Sequence, residues 1–292
     1  MSKKQYVVDG VIPSPKDIRD YTISSAVDAP KGVASFAQIE LPEEYKVWTP
    51  PNYDQGTASS CVACTLAAIY DCVKHKFEDE YKQHSIGFIY GNRKNDNFRR
   101  PGMIPRYACD NTVDYGDILS EIWDSPRDVT EIIKQFEKIY DEYKHFAFKP
   151  FSKYVALNSI QEVKTFIYKY KIPIMICTDS KNVVKNTDGS HALLCYGWKN
   201  DKLLWQNSWY TYKPHGEISF DKVYDVWGLV PRYIDFTDVT QDDWFYSDIM
   251  KGFYDGYALG YPDGTFRPNN CVTRAEFVVL LYRILKENRH KI

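Results

Sequence analysis

The stretch that most constrains this chain runs Asp54-Gln-Gly-Thr-Ala-Ser-Ser-Cys-Val-Ala-Cys-Thr-Leu-Ala-Ala-Ile-Tyr70. Its first half reads as a loop, because Pro50-Pro51-Asn52 sets a turn before Asp54-Gln55-Gly56. Its second half reads as a helix. Leu66, Ile69, Tyr70 and Val73 recur at helical spacing through a run of good helix formers. Ser59 and Ser60 are placed to cap the backbone donors of that helix. Cys61 therefore falls on the first helical turn. Unpaired N–H groups there stabilise negative charge, so a thiol at that place leans toward the thiolate, its reactive form.

A nucleophilic thiolate needs a base, and the base needs a group to orient it. His191 opens the apolar run Ser190-His-Ala-Leu-Leu-Cys-Tyr-Gly197, which reads as a buried strand. Asn207 lies in the strand-like stretch Leu203-Leu-Trp-Gln-Asn-Ser-Trp209. Lys199-Asn200-Asp201-Lys202 reads as a hairpin turn between them, so two paired strands can bring residues 191 and 207 together. Taken in order, Asp54-Gln-Gly, Ser60-Cys61, His191-Ala192 and Asn207-Ser-Trp209 resemble the papain family of cysteine peptidases. That family separates its Cys from its His and Asn by roughly 130–150 residues, and this chain agrees.

The resemblance implies a role for each matched residue. Cys61 would attack the scissile carbonyl, and His191 would form its ion pair and protonate the leaving amine. Asn207 would accept from the other imidazole nitrogen and hold the ring. Gln55 would meet the oxyanion together with the backbone N–H of Cys61. Trp209 would cover the His191–Asn207 hydrogen bond. The chain also departs from the family. Ala58 stands where a disulfide Cys is common, Val62 where an aromatic is common, and Tyr210 where Gly usually follows the Asn-Ser-Trp motif. No adjacent glycine pair lies between Cys61 and His191 to line the cleft.

Composition narrows the alternatives. A net charge of −2 argues against nucleic acid as a main partner. No apolar run approaches the roughly 20 residues that span a bilayer. Residues 1–10 have a basic start and no apolar core, unlike a standard signal peptide. Seven widely spread cysteines, an odd number, do not form a disulfide framework. Cys64, Cys72, Cys177 and Cys195 sit in apolar contexts and read as core. A Cys61/Cys64 redox pair lacks the strand expected before it, and zinc lacks a second ligand pair. Neither a metal nor a cofactor is expected. His75, His84, His145, His215 and His290 read as solvated surface residues.

Residues 1–40 form a loop-rich lead-in around Asp17-Ile-Arg-Asp-Tyr21, read as a strap over the surface, with a short inhibitory segment in the cleft as the sharper alternative. Asp128 to Lys144 is an amphipathic helix with Val129, Ile132, Ile133, Phe136, Ile139, Tyr140 and Tyr143 in one stripe. Ser159-Ile-Gln-Glu162 is a capping box that opens a further helix. Strands follow. Helices first and strands later is the α+β order. It matches the papain-like plan of a helical half and an antiparallel β half, here expected over residues 41–235.

The composition shifts near residue 236. Asp242 to Ile249 begins an amphipathic helix expected to carry Trp244 and Phe253. A turn-rich loop, Gly260-Tyr-Pro-Asp-Gly-Thr-Phe266, and a second capping box, Thr273-Arg-Ala-Glu276, lead into a last helix striped by Phe277, Leu280, Leu281 and Ile284. Residues 236–292 closely resemble one S-layer homology repeat. That resemblance implies binding to an acidic polymer of the bacterial cell wall, with Arg274, Glu276 and Trp244 as candidate ligand residues. It also implies a cell-surface or extracellular location. Such repeats usually come in threes, so a lone repeat is expected either to dock on its own peptidase domain or to bring three chains together, the trimer being favoured.

The expectation is thus a cysteine endopeptidase that acts on a peptide or protein through a thioester. The alternatives are a wall-binding protein whose papain-like half no longer turns over, and a thiol-dependent transferase or amidase on the same fold.

Overall fold

The computed structural model describes residues 10–17, 20, 40–77, 81–93, 101–123, 138–209, 213–231, 236–240, 242–254, 257–258, 260–261, 263 and 265–288. The chain splits into two compact units. One comprises Met1–Lys76 and Glu80–Arg232, the other Tyr233–Ile292 together with Phe77–Asp79.

In the first unit a short strand, β1 (Glu44–Lys46), precedes three helices, α1 (Cys61–Phe77), α2 (Ile86–Gly91) and α3 (Pro105–Tyr115). The β half follows as β2 (Phe151–Ala156), β3 (Ile174–Asp179), β4 (Ser190–Lys199), β5 (Lys202–Gln206), β6 (His215–Ser219) and β7 (Val223–Pro231), with α4 (Ile160–Tyr170) after β2. Every residue of α1 from Cys61 to Val73 is buried. A helix apolar on all sides belongs at the centre of a core, and Leu66, Ile69 and Tyr70 are fully enclosed. Tyr70 meets Phe151 of β2 edge to face, 5.0 Å between centroids. Helix α3 packs on β2 and β7, and α4 on β4 and β7.

The seven strands form one antiparallel sheet in the order β2-β7-β3-β4-β5-β6. Strand β4 is the spine. Its first half, residues 190–195, pairs with β3, and its last three residues pair with β1 along the same side. Gly197 is required at that junction, because a Cβ there would stand 2.1 Å from Tyr45 O. The turn from β4 to β5 falls at Asn200-Asp201, as the spacing predicts, with Asn200 at a φ of 50°.

One sequence expectation is modified. At α4, Ser159 Oγ accepts from Glu162 N at 3.2 Å, but the Glu162 carboxylate reaches Asn158 N at 2.6 Å. The box is therefore closed one residue earlier than its pattern suggests. Of the Asp128–Lys144 helix, only residues 138 onward lie within the described residues. Residues 138–143 are helical, and Tyr140 stands 5.7 Å from Phe88.

The second unit holds α5 (Tyr246–Tyr254) and α6 (Arg274–Asn288). Phe236 is its aromatic centre, edge-on to Phe253 and Phe266. Gly260, at a φ of 67°, fits because a Cβ would lie 2.3 Å from the Phe236 ring. Asp238 accepts from the backbone N–H of Phe266 and of Arg267, which fixes the turn-rich loop. No helix among the described residues is long and apolar enough to cross a membrane.

Candidate active site

Helix α1 begins at Cys61. Its first turn is closed by Cys64 N donating to Ser60 O at 2.9 Å. Ser60 Oγ faces Cys64 Sγ at 3.9 Å, so Ser60 serves the helix start through its carbonyl. Cys61 is fully buried. It lies near the sheet end that carries His191. Cys177 of β3, which pairs with Ala192, is raised well above the usual thiol range by burial first, then by Asp225 and Cys61.

His191 stands at the start of β4, opposite Thr178. Its Nε2 lies 2.8 Å from Asn207 Oδ1. The amide oxygen can only accept, so Nε2 carries a proton and the neutral ring keeps its lone pair on Nδ1. That Nδ1 is buried without a hydrogen-bond partner among the described residues. Asn207 is itself pinned. Its N donates to Pro214 O, its Nδ2 to Lys213 O, and its Oδ1 also accepts from Ser208 N. Trp209 stacks on His191 at 4.3 Å and 27°, so both the ring and its hydrogen bond are shielded from water. Burial pushes the His191 imidazole down to about 4, with the Asn207 bond opposing the shift.

Gln55 is stitched to the same strand end. Asp54 and Trp209 form an antiparallel bridge, and Gln55 N donates to Ser208 O at 3.0 Å. Gln55 Oε1 accepts from Ser208 Oγ at 2.7 Å, and Nε2 donates to Ala58 O at 3.0 Å. The Ala58 carbonyl, which can only accept, fixes which end of the amide is the donor. In the sequence Ser208 is only the middle of a motif. Its role as the holder of Gln55 is legible only once the two loops meet.

A segment from the lead-in lies across this centre. A Cβ on Gly10 would stand 2.4 Å from Cys61 Sγ. Gly10 O accepts from Met103 N at 3.0 Å, and Ile12 N donates to Met103 O at 2.9 Å, a parallel bridge centred on Val11. Further along, Ser14 N donates to Asp225 Oδ2 and Ser14 Oγ accepts from Arg106 N. The nearly buried Arg106 guanidinium pairs with Asp17 at 3.1 Å and Asp20 at 3.2 Å. Within the described residues the lead-in is thus a strap laid over Cys61 and held by Met103, Asp225 and Arg106.

Solved structures carry the same architecture. Xylellain, a cysteine protease from Xylella fastidiosa, superposes with a TM-score of 0.60 at 20% identity, over 80% of this chain and 99% of that one. The cysteine protease and lectin-like domains of Cwp84, a surface layer associated protein of Clostridium difficile, give 0.56 at 14%, over 76% and 55%. A procathepsin B from Trypanosoma congolense gives 0.53 at 14%, over 73% and 86%. The fold is papain-like. No curated protein matches the chain.

Gly102 stands at a φ of 90° and is followed by Met103, which presents its backbone to the strap. Tyr210 and the polar run of residues 94–100 lie outside the described residues.

One sequence assignment is overturned by burial. His84 is not a surface residue; it is 1% exposed, with Nδ1 2.8 Å from Asp71 Oδ1 of α1. Tyr53 donates to the other Asp71 oxygen at 2.8 Å. His145 and His215 are exposed, His75 stacks on Trp48 at 3.8 Å, and His290 lies outside the described residues. Cys64, Cys72, Cys177 and Cys195 are buried thiols, and none of the seven cysteines forms a disulfide. No metal-binding cluster occurs among the described residues.

Residues 235–278 match the family model for the S-layer homology domain. Arg274 is the first residue of α6 and is exposed. The Thr273–Glu276 capping box is closed in both directions, at 3.2 and 2.8 Å. Glu276 also accepts from Tyr261 Oη at 2.5 Å, and these bonds, that from Tyr261 foremost, hold its carboxyl down to about 2. Trp244 does not lie on α5 as expected. It stands in the turn before it and is 88% exposed.

Proposed function

We propose that this chain is a papain-like cysteine endopeptidase held at a bacterial cell wall through its C-terminal repeat. The observation that carries the reading is the 2.8 Å His191–Asn207 bond under Trp209, with Gln55 tied to the same strand end through Ser208. Cys61 Sγ attacks the scissile carbonyl while His191 Nδ1 takes the thiol proton. The oxyanion of the tetrahedral intermediate is met by the Cys61 N–H and the amide N–H of Gln55. His191 then gives its proton to the leaving amine, and the C–N bond breaks to leave a thioester on Cys61. Water, deprotonated by His191, adds to the thioester carbonyl; the C–S bond then breaks, the free acid leaves, and the proton on His191 remains to restore the Cys61–His191 pair.

With the strap in place, His191 is neutral near pH 7, because its folded value lies about 4. The charged thiolate–imidazolium pair therefore belongs to the open cleft, where water supports both charges.

Arg274 and Trp244 are the exposed side chains proposed to meet an acidic polymer, with Glu276 shaping the helix start beside them. Phe277, Val278, Leu281 and Tyr282 leave α6 with an apolar exposed side, which supports assembly of the repeats from three chains.

Turnover of a fluorogenic peptide by the full chain tests the reading. Cys61→Ala should abolish it and leave the fold intact, whereas Cys64→Ala should keep most of it. Retained turnover in Cys61→Ala would refute the mechanism. A wild type without turnover would leave the wall-binding alternative.

A further inference from the structure

We infer that Tyr90 and Arg93 are positioning residues that hold the peptide-docking edge of the cleft, doing so through the backbone of Gly102. The inference rests on the peptidase reading.

Tyr90 is the penultimate residue of α2 and Arg93 follows just after the helix. Both are buried, Arg93 at 5% exposure. Burying a guanidinium is costly unless it is used. Here its Nη1 donates to Gly102 O at 3.1 Å, and its plane lies over the Tyr90 ring at 3.8 Å. Tyr90 Oη in turn accepts from Gly102 N at 3.1 Å. Both backbone polar groups of Gly102 are therefore taken up by side chains from the end of α2.

Gly102 is committed inward, and the N–H and C=O of the next residue, Met103, are both engaged by the strap that crosses Cys61. The strap passes over Cys61 Sγ at Gly10, one residue before Val11, the residue bridged to Met103. An extended peptide lying over Cys61 would meet the same two Met103 groups. Among the described residues no regular strand lies behind this edge. The Tyr90–Arg93 clamp supplies its rigidity, and Gly102 supplies the φ of 90° that few other residues adopt.

The test compares two substrates on the full chain. One is a blocked fluorogenic tetrapeptide, which can pair with Met103. The other is p-nitrophenyl acetate, which has no peptide groups to pair. Each rate is corrected for that of the Cys61→Ala chain. The ratio of the two kcat/KM values cancels any change in how often the strap occludes the cleft. Loss of a charge-assisted hydrogen bond is expected to lower this ratio by about tenfold or more in Arg93→Ala. Tyr90→Phe keeps the ring under the guanidinium and should lower it in the same direction. Because that change is nearly isosteric, it decides the matter if Arg93→Ala does not fold. A ratio within about twofold of wild type would overturn the clamp while leaving the peptidase reading standing. A wild type that hydrolyses neither substrate would overturn both.

Discussion

Gly10→Ala should activate the enzyme. The added Cβ would stand 2.4 Å from Cys61 Sγ and 3.2 Å from both C and O of Ser59. The thiol alone could rotate, but the Ser59 backbone is part of the buried entry to α1 and cannot yield cheaply. Overpacking of this kind costs typically about 1–3 kcal/mol. If that cost falls on the strap, the open fraction of the cleft rises by roughly 5- to 150-fold until it saturates. The assay is the second-order rate of Cys61 alkylation by iodoacetamide on the full chain, followed by initial rates on a fluorogenic peptide. Both should rise together. Asp17→Asn with Asp20→Asn, which weakens the Arg106 anchor far from the thiol, should act in the same direction. An alkylation rate in Gly10→Ala equal to that of wild type would refute the claim that the strap occludes Cys61.

Gln55→Ala should lower kcat by roughly 10²–10³ with KM little changed, since an oxyanion donor acts mainly in the transition state; a change confined to KM would count against that role. An unfolded chain takes up a proton at His191 near pH 6.5, whereas the folded chain resists until about 4. Stability should therefore fall as pH drops through that window, by roughly 3 kcal/mol in all from this residue. In urea melts at several pH values, His191→Gln should flatten that slope; an unchanged slope would place the titration elsewhere. Light scattering at micromolar concentration should find the full chain as a trimer and a chain ending at Asp235 as a monomer; a full-length monomer would refute the assembly.

The site is legible because its chemistry is written in short local patterns. Cys61 sits where a helix starts, and His191 and Asn207 flank a hairpin whose turn is read from Asn200-Asp201. What stays hidden depends on contacts between distant segments. Val11 and Met103 carry no mark of each other, so the sequence poses the path of the strap over Cys61 without deciding it. His84-Ser85 has a polar, solvent-like context, and only the pairing of His84 with Asp71 and of Ser85 with Ile118 shows that it is interior. The apolar spacing of Trp244 places it on a helix, yet the helix starts at Tyr246. There, Asp243 accepts from Thr240 N and folds the preceding residues into a turn.

The most direct measurement maps a covalent inhibitor. A peptidyl epoxide or vinyl sulfone is incubated with the full chain and with Gly10→Ala, and the labelled cysteine is located by peptide mass spectrometry. The account predicts a single adduct on Cys61, formed faster in Gly10→Ala and abolished by His191→Ala. Labelling of Cys64 or the exposed Cys271 in place of Cys61, or a Cys61 adduct whose rate ignores His191, would contradict it.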